Sequence, residues 1–170
     1  RQQAARQRTE ILGRAKAEAL QRLAERAAEE AQRQPMSPLV MNKVIADSVP
    51  HDIIVVDESI TSGAGLREFL PRRHARDYFG LKGGGIGWGL PATMGAALAF
   101  PDQPVLGVIG DGSAMYSITA LWSAANQKLP VVFIIANNAG YQILKNRLKL
   151  FHGNDTPIGM DFNDPPMDIA

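Results

Sequence analysis

The residue pattern with the clearest chemical meaning is Gly110-Asp111-Gly112-Ser113, which is followed after one further apolar run by Asn137-Asn138. If the apolar runs before the two motifs form neighbouring strands, a carboxylate and a carboxamide meet at the strand ends. Their hard oxygen atoms suit Mg²⁺ or Ca²⁺, and such an ion lets a carboxylate lie beside a phosphate. Each half alone is explained by a helix cap or an asparagine turn. Together the two halves favour a metal–phosphate site.

Three short apolar runs rich in β-branched residues predict strands buried on both faces, at 52–57, 105–109 and 131–136. Helical segments at 91–100 and 115–127 lie between successive runs. This alternation predicts an α/β fold in which a parallel sheet is flanked by helices and joined by right-handed crossovers.

The loops that follow these strands are the places where a ligand would bind, because ligands of such sheets lie beyond the carboxyl ends of the strands. The loops cover 58–65, 110–115 and 137–141. We therefore expect one site built from all three loops.

A long helix is predicted ahead of the sheet, over residues 1–34, which are rich in Ala, Arg, Gln and Glu and contain no proline. Acidic and basic residues are interleaved along it, so a linker or packing helix is favoured over a basic helix that binds nucleic acid. Ser37 and Pro38 predict the cap and first residue of a second helix. We expect a helical linker segment at 1–34 and a domain at 37–170 that is truncated at its C-terminal end.

The composition excludes several classes of function. The chain has 170 residues, a formal net charge of +1 and no cysteine. The missing cysteine excludes thiol catalysis, thiolate zinc sites and disulfides, and agrees with a cytoplasmic location, which we expect. The near-zero charge gives no support for a nucleic-acid partner. No apolar run approaches the roughly 20 residues that span a bilayer, so no membrane partner is expected.

Two common phosphate-binding motifs are not matched. The glycine cluster at 83–89 contains Gly85-Ile86-Gly87, but Leu90 stands where a dinucleotide fingerprint has its third glycine. No Gly-Lys-Ser or Gly-Lys-Thr sequence occurs, which argues against a P-loop. A metal-bound diphosphate remains the favoured ligand.

The two opening motifs together resemble the diphosphate motif of thiamine-diphosphate enzymes. Within that group, residues 110–122 and 84–91 are most similar to the benzoylformate decarboxylases, and the resemblance covers about residues 37–150. The resemblance implies that this is the C-terminal, diphosphate-binding domain, with the thiamine-diphosphate-binding fold.

The resemblance also implies a role for individual residues. Mg²⁺ or Ca²⁺ would be held by Asp111, Asn138 and the backbone carbonyl of Gly140. The other cofactor-binding residues would be Thr61, Ser62, Gly84, Ile86, Gly112, Ser113 and Tyr141. Among these, the Gly84 carbonyl would accept from the 4′-amino group of thiamine diphosphate, and Ile86 would bend the cofactor. Ile143 and Leu144 would line the substrate pocket.

Simpler interpretations exist for three of these residues. By composition alone, Ile86 fits an ordinary core residue, and Ile143 and Leu144 fit a helix face packed on the core. Ile60 stands where a threonine or serine is expected, and Arg147 where an apolar pocket residue is expected. Gly140 and Ile143 differ in size from the residues expected at their positions. These departures count against an aryl substrate more than against the cofactor.

The implied function is that of a Mg-dependent thiamine-diphosphate-binding domain of a 2-keto acid decarboxylase or lyase, which forms an aldehyde and CO₂. The alternatives are an acetolactate synthase-type carboligase, a catalytically silent module of the same fold, and an unrelated metal–phosphate domain. The activating glutamate is expected from a pyrimidine-binding domain of a neighbouring subunit, in a homo-dimer or tetramer. Glu58 is no substitute, because it matches the diphosphate loop. No catalytic residue is therefore predicted in this chain, which is not expected to be active alone.

Overall fold

The structure is a computed structural model that describes residues 1–70, 74–153 and 156–169. The C-terminal boundary predicted at Ala170 lies outside these residues. The strands are β1 (Ile54–Glu58), β2 (Tyr78–Gly80), β3 (Val105–Gly110) and β4 (Val131–Ala136). The helices are α1 (Gln2–Glu29), α2 (Pro38–Ser48), α3 (Leu66–Phe69), α4 (Gly89–Ala99), α5 (Asp111–Met115), α6 (Thr119–Asn126) and α7 (Gln142–His152).

The chain divides into two compact units, one of which consists of Arg1–Val49 and Ala64–Leu70. This unit holds α1, α2 and α3. The predicted long helix is present as α1, and nearly all of its side chains are exposed. The predicted cap is also confirmed, because the Ser37 hydroxyl accepts from the Val40 amide at 3.3 Å and Pro38 opens α2.

The second unit consists of Pro50–Gly63 and Pro71–Ala170, and it contains the sheet. All strand pairs are parallel, in the order β2-β1-β3-β4. The three predicted strands are confirmed, whereas β2 was not predicted because its three residues are too few to show a pattern. The predicted division of the chain between residues 34 and 37 stays a prediction.

The strand order reverses direction between β1 and β3. The chain passes from β1 to β2 on one side and then crosses back, so that β3 pairs with the other side of β1. Connections that leave two adjacent strands in opposite directions open a crevice between their carboxyl ends. The fold therefore places its natural ligand site beyond the ends of β1 and β3.

Helix α4 covers one face of the sheet. Ile54, Val56 and Val105 of this face pack against Ala96 and Ala97 of the helix, and all five side chains are buried. Nearer the carboxyl ends, a second buried cluster joins residues of α4, β3, α5 and α6: Leu90, Ile109, Ala114 and Ala120. The small side chains of α4 let the helix lie close to the strands.

The helix predicted at 115–127 is present as α6, which begins later than predicted, at Thr119, and the separate helix α5 ends at Met115. Tight turns separate them: the amides of Tyr116 and Ser117 donate to the carbonyls three residues earlier. These turns redirect the chain after α5 has covered the end of β3, and α6 then packs on α4. The helix predicted at 91–100 is confirmed, although it begins at Gly89.

No helix in the described ranges is both long and apolar enough to cross a membrane.

The α4 packing can be tested with two leucines of the same helix. Leu90 is 0% exposed and Leu98 is 62% exposed. Leu90→Ala should lower the free energy of unfolding by about 2–5 kcal/mol, because it leaves a cavity against Ile109 and Ala114. Urea denaturation measures the loss.

Leu98→Ala is the matched control and should change the same free energy by less than about 0.5 kcal/mol. Equal losses in the two variants would contradict the buried placement of Leu90.

Candidate functional site

A cleft of about 390 Å³ lies beyond the carboxyl ends of β1, β3 and β4. Pairing keeps these ends level, since Glu58 pairs with Ile109 and Gly110 pairs with Ala136. After β1 and β4 the chain enters a loop that lines the cleft, and after β3 it passes directly into α5, which lines the cleft in place of the loop predicted at 110–115. The volume falls within the roughly 300–1,000 Å³ typical of small-molecule sites.

All but one of the residues predicted for the site line this cleft: Thr61, Gly84, Ile86, Asp111, Gly112, Ser113, Asn138, Gly140, Tyr141, Ile143 and Leu144. The exception is Ser62, which is buried and donates its amide proton to the Ser59 carbonyl at 2.7 Å. The structure thus brings together three loops that are far apart in sequence. The binding roles of these residues stay predictions.

Asp111 connects two of the loops. Its side chain is 3% exposed. Oδ1 accepts from the Gly112 amide at 2.8 Å, and Oδ2 accepts from the amides of Asn138 and Gly140 at 3.1 and 3.2 Å. These three donors offset the cost of burying a carboxylate. Asp111 therefore holds the loop after β4 against the start of α5.

The loop after β4 brings further oxygen atoms to the same end of the cleft. The Asn138 side-chain amide donates to the Thr61 hydroxyl at 3.4 Å, which connects this loop to the loop after β1. The Gly140 carbonyl accepts from the Gln142 amide at 2.9 Å. A carbonyl oxygen has a second lone pair, so this bond leaves Gly140 able to bind a cation.

Tyr116 and Tyr141 both line the cleft and form a hydrogen-bonded pair. The Tyr141 ring packs edge-on against Phe162, with centroids 4.7 Å apart. Burial raises the pKa of the Tyr141 hydroxyl above its ordinary value, and the hydrogen bond to Tyr116 and the charges of Tyr116 and Asp111 raise it further. Tyr141 therefore stays a neutral hydroxyl at physiological pH.

Apolar side chains also line the cleft. They are Leu81, Ile86, Ile143 and Leu144. A Cβ atom added at Gly84 would meet no atom within 4 Å, so there is open space beside this backbone. The cleft thus combines oxygen ligands with apolar side chains and room for a flat apolar group.

Ile60 is an unusual residue in the cleft wall. It is 41% exposed and has a φ of 35°, a backbone region that β-branched residues rarely occupy. Arg147, another departure from the expected pattern, does not line the cleft, and its guanidinium lies over the Phe151 ring at 5.7 Å. The departures at Ile60, Gly140 and Ile143 therefore line the cleft, whereas the departure at Arg147 does not.

Several lining residues were given no binding role from the sequence: Glu58, Ser59, Ile60, Leu81, Gly110, Tyr116 and Gln142. The first three and Gly110 lie in the predicted ligand loops, Tyr116 lies in the stretch at 110–122 that carries the family resemblance, and Gln142 follows Tyr141 directly, so position in the sequence was an available signal. Nothing in the sequence indicated that Leu81 lines the cleft, because it follows the unpredicted strand β2. The sequence did show Glu58 as an acidic residue at a strand end, but the groups that it binds can be identified only in the tertiary structure.

The oxygen atoms fit a hard divalent cation that also binds a ligand. Asp111, Asn138 and Gly140 supply one carboxylate, one amide and one backbone carbonyl at the same end of the cleft. Within 1–70, 74–153 and 156–169, no three His, Asp or Glu side chains form a metal-binding group. A protein site with a single carboxylate is suited to Mg²⁺ shared with phosphate oxygens.

Residues 62–170 match the protein family described as thiamine pyrophosphate enzyme, C-terminal TPP binding domain. This range contains every predicted site residue except Thr61.

Individual relatives agree with this match. A Mycobacterium tuberculosis protein provisionally named an acetolactate synthase large subunit is 45% identical over 132 residues, covering 75% of this chain and 26% of the relative. Pseudomonas aeruginosa benzoylformate decarboxylase is 42% identical over 127 residues, covering 75% of this chain and 24% of the relative. The chain thus spans about a quarter of the length of these relatives.

A solved structure is similar as well. The thiamine diphosphate-dependent 4-hydroxybenzoylformate decarboxylase of Rhodococcus jostii RHA1 has a TM-score of 0.71 and 41% sequence identity to this chain. The match covers 78% of this chain and 24% of the other.

The tyrosine pair gives a testable pH dependence. Tyr116→Phe should lower the Tyr141 pKa toward its ordinary value of about 10, because it removes a hydrogen bond and a nearby charge while burial remains. Titration of tyrosinate absorbance measures the pKa. The raised pKa contributes stability that is fully present below about pH 10 and is lost as pH rises through the folded-state pKa.

Tyr78→Phe is the control, since the Tyr78 hydroxyl donates to Asp57 instead. It should leave the Tyr141 titration unchanged. An unchanged Tyr141 pKa in Tyr116→Phe would contradict the pairing.

Proposed function

The chain belongs to the thiamine pyrophosphate enzyme family through its C-terminal TPP-binding domain, and we propose that its cleft binds thiamine diphosphate with Mg²⁺ or Ca²⁺. The observation that carries this proposal is the buried Asp111 carboxylate. It lies beside Asn138 and Gly140 in a cleft that apolar side chains also line. Both chemical halves of the cofactor therefore find a matching environment.

The metal would be held by the Asp111 carboxylate, the Asn138 amide oxygen and the Gly140 carbonyl. Thr61, Gly112, Ser113 and Tyr141 would bind the diphosphate, with Ser62 supporting the loop of Thr61 from its buried position. A cation between carboxylate and phosphate removes the repulsion that the two anions would otherwise have. The neutral Tyr141 hydroxyl adds no further negative charge to this site.

Gly84 and Ile86 would contact the cofactor ring, and Ile143 and Leu144 would contact the substrate. Open space at Gly84 supports a close approach of the ring to the backbone. When bound, the cofactor supplies a nucleophilic carbon and an electron sink for the loss of CO₂, so the protein contributes orientation and exclusion of water.

For the protein that contains this chain, we propose a 2-keto acid decarboxylase of the benzoylformate decarboxylase kind, which releases an aldehyde and CO₂. The similarity to benzoylformate decarboxylase supports it. A carboligase of the acetolactate synthase kind is the second candidate, favoured by the 45% identity to the M. tuberculosis protein. A catalytically silent module remains the third.

The remaining catalytic groups would come from outside this chain. The three histidines, His51, His74 and His152, are exposed, and none lines the cleft. Glu58 lines the cleft, but its carboxylate already binds backbone amides. We therefore propose that a pyrimidine-binding domain of a neighbouring subunit completes the site in a homo-dimer or tetramer. A cytoplasmic location stays a prediction.

Calorimetric titration with thiamine diphosphate tests cofactor binding. The longest expressed form of the protein should bind it in the presence of Mg²⁺ and lose binding when EDTA removes the metal. Asp111→Ala should weaken binding by at least about 100-fold, because losing a direct metal ligand should exceed the roughly 10- to 100-fold cost of losing an outer partner.

Asp102→Ala is the matched control, because Asp102 is an exposed aspartate just before β3, at the opposite end of the strand. It should bind like the wild type. Metal-independent binding, or equal binding by Asp111→Ala, would rule out the proposed site.

The chain by itself should turn over neither benzoylformate nor pyruvate, because the group expected to activate the cofactor is not in its cleft. An assay for aldehyde and CO₂ with the purified 170-residue chain, Mg²⁺ and thiamine diphosphate checks this expectation. Turnover that disappears in Asp111→Ala would show that the activating group lies within the chain.

A further inference from the structure

Glu58 is a buried acid at the carboxyl end of β1, with 1% of its surface exposed. Its carboxylate accepts three backbone amides of the glycine-rich segment that follows β2. Oε1 accepts from Gly87 at 2.6 Å and from Trp88 at 3.4 Å, and Oε2 accepts from Gly89 at 2.6 Å. Both oxygen atoms are therefore used to hold one segment.

Two features of the site favour a carboxylate over a neutral side chain. The two short bonds reach different oxygen atoms, and both partners are donors, so each oxygen must be an acceptor. The amides of Trp88 and Gly89 belong to the N-cap and first residue of α4, where the helix dipole favours negative charge. Burial of the charge is tolerated because its donors are fixed.

The contact also requires glycine at position 89. A Cβ atom there would lie 2.6 Å from Oε2 of Glu58 and 2.9 Å from its Cβ, and would collide with Cδ1 of Ile109. The start of α4 thus lies directly on the ends of β1 and β3. This close approach fixes where the glycine-rich segment ends.

The beginning of the same segment has no comparable packing. A Cβ atom at Gly83, Gly84 or Gly85 would meet no atom within 4 Å. Gly84 and Ile86 line the cleft from within this open stretch. Their position relative to the cleft therefore depends on the anchored end, which is held by Glu58.

We propose that Glu58 is a positioning residue, which sets the ring-binding half of the cofactor site by fixing the segment that carries Gly84 and Ile86. It acts through that segment and not on the cofactor. The diphosphate half does not depend on it, because Asp111 joins the start of α5 to the loop at 137–140 through separate hydrogen bonds. The inference rests on the proposed thiamine-diphosphate site.

Amide hydrogen exchange, read by mass spectrometry without ligand, tests the anchor itself. In the longest expressed form of the protein, peptides covering Gly87 to Gly89 should be protected. Glu58→Gln keeps the size of the side chain but turns a donor toward one of these amides. It should speed exchange there by about 10- to 100-fold, as expected for losing a hydrogen bond to a charged group. Peptides covering 110–113 should be unchanged.

Calorimetric titration with two probes tests the consequence. Inorganic pyrophosphate with Mg²⁺ reports on the diphosphate half alone, and thiamine diphosphate with Mg²⁺ reports on both halves. Glu58→Gln should bind pyrophosphate like the wild type and bind thiamine diphosphate at least about tenfold more weakly, since one ring-binding wall is displaced. Asp102→Asn, the same chemical change on an exposed side chain, should match the wild type for both probes.

The outcomes separate this inference from the proposed function. If the amides of Gly87 and Gly89 are unprotected in the wild type, the proposed anchoring of this segment by Glu58 is wrong. Because this measurement needs no variant, the inference stays testable even if Glu58→Gln fails to fold. Equal weakening for both probes would indicate a general structural role and would overturn the positioning role. So would unchanged thiamine diphosphate binding by Glu58→Gln. A wild type that binds neither probe would overturn the proposed function, and this inference with it.

Discussion

The parallel pairing of β3 with β1 on one side and β4 on the other is the constraint on which the site depends. It brings three strand ends to one edge of the sheet at the same level, with Glu58 beside Ile109 and Gly110 beside Ala136. Residues 105–109 of β3 are buried, and a Cβ atom at Gly107 would lie 2.6 Å from the Thr93 hydroxyl, so a slip of one residue would place a larger side chain where only glycine fits. The register that satisfies the core is therefore also the register that forms the cleft.

Two buried carboxylates hold in place the segments that lie beyond the strand ends. Glu58 binds amides at the start of α4, and Asp111 binds amides of the loop after β4. In each case a charge that is costly to bury is compensated by backbone donors that have no partner within their own helix or strand. The two carboxylates thus act in the same way on different parts of the cleft. Glu58 holds the glycine-rich segment, and Asp111 holds the loop after β4.

The cleft that results is lined by oxygen ligands and by aliphatic side chains. This mixed lining matches a ligand with a charged diphosphate and a flat ring system, in agreement with the family to which the chain belongs. The chain covers about a quarter of its relatives' length. The role proposed for the cleft is accordingly to hold and orient a cofactor, and the exposed histidines do not line it.

The sequence by itself determined the three buried strands, the capped helix at Ser37 and the Asp111–Asn138 pair. Each of these depends on local features: a β-branched run, a serine before proline, or a motif of adjacent residues. Only the tertiary structure decided that β2 forms, that the chain turns between α5 and α6, and that Ser62 lies behind the cleft wall. It also decided the role of Glu58, whose partners lie about thirty residues away. These outcomes depend on which groups pack together across the sheet, because a buried charge or a three-residue strand is stable only beside partners that local sequence does not contain.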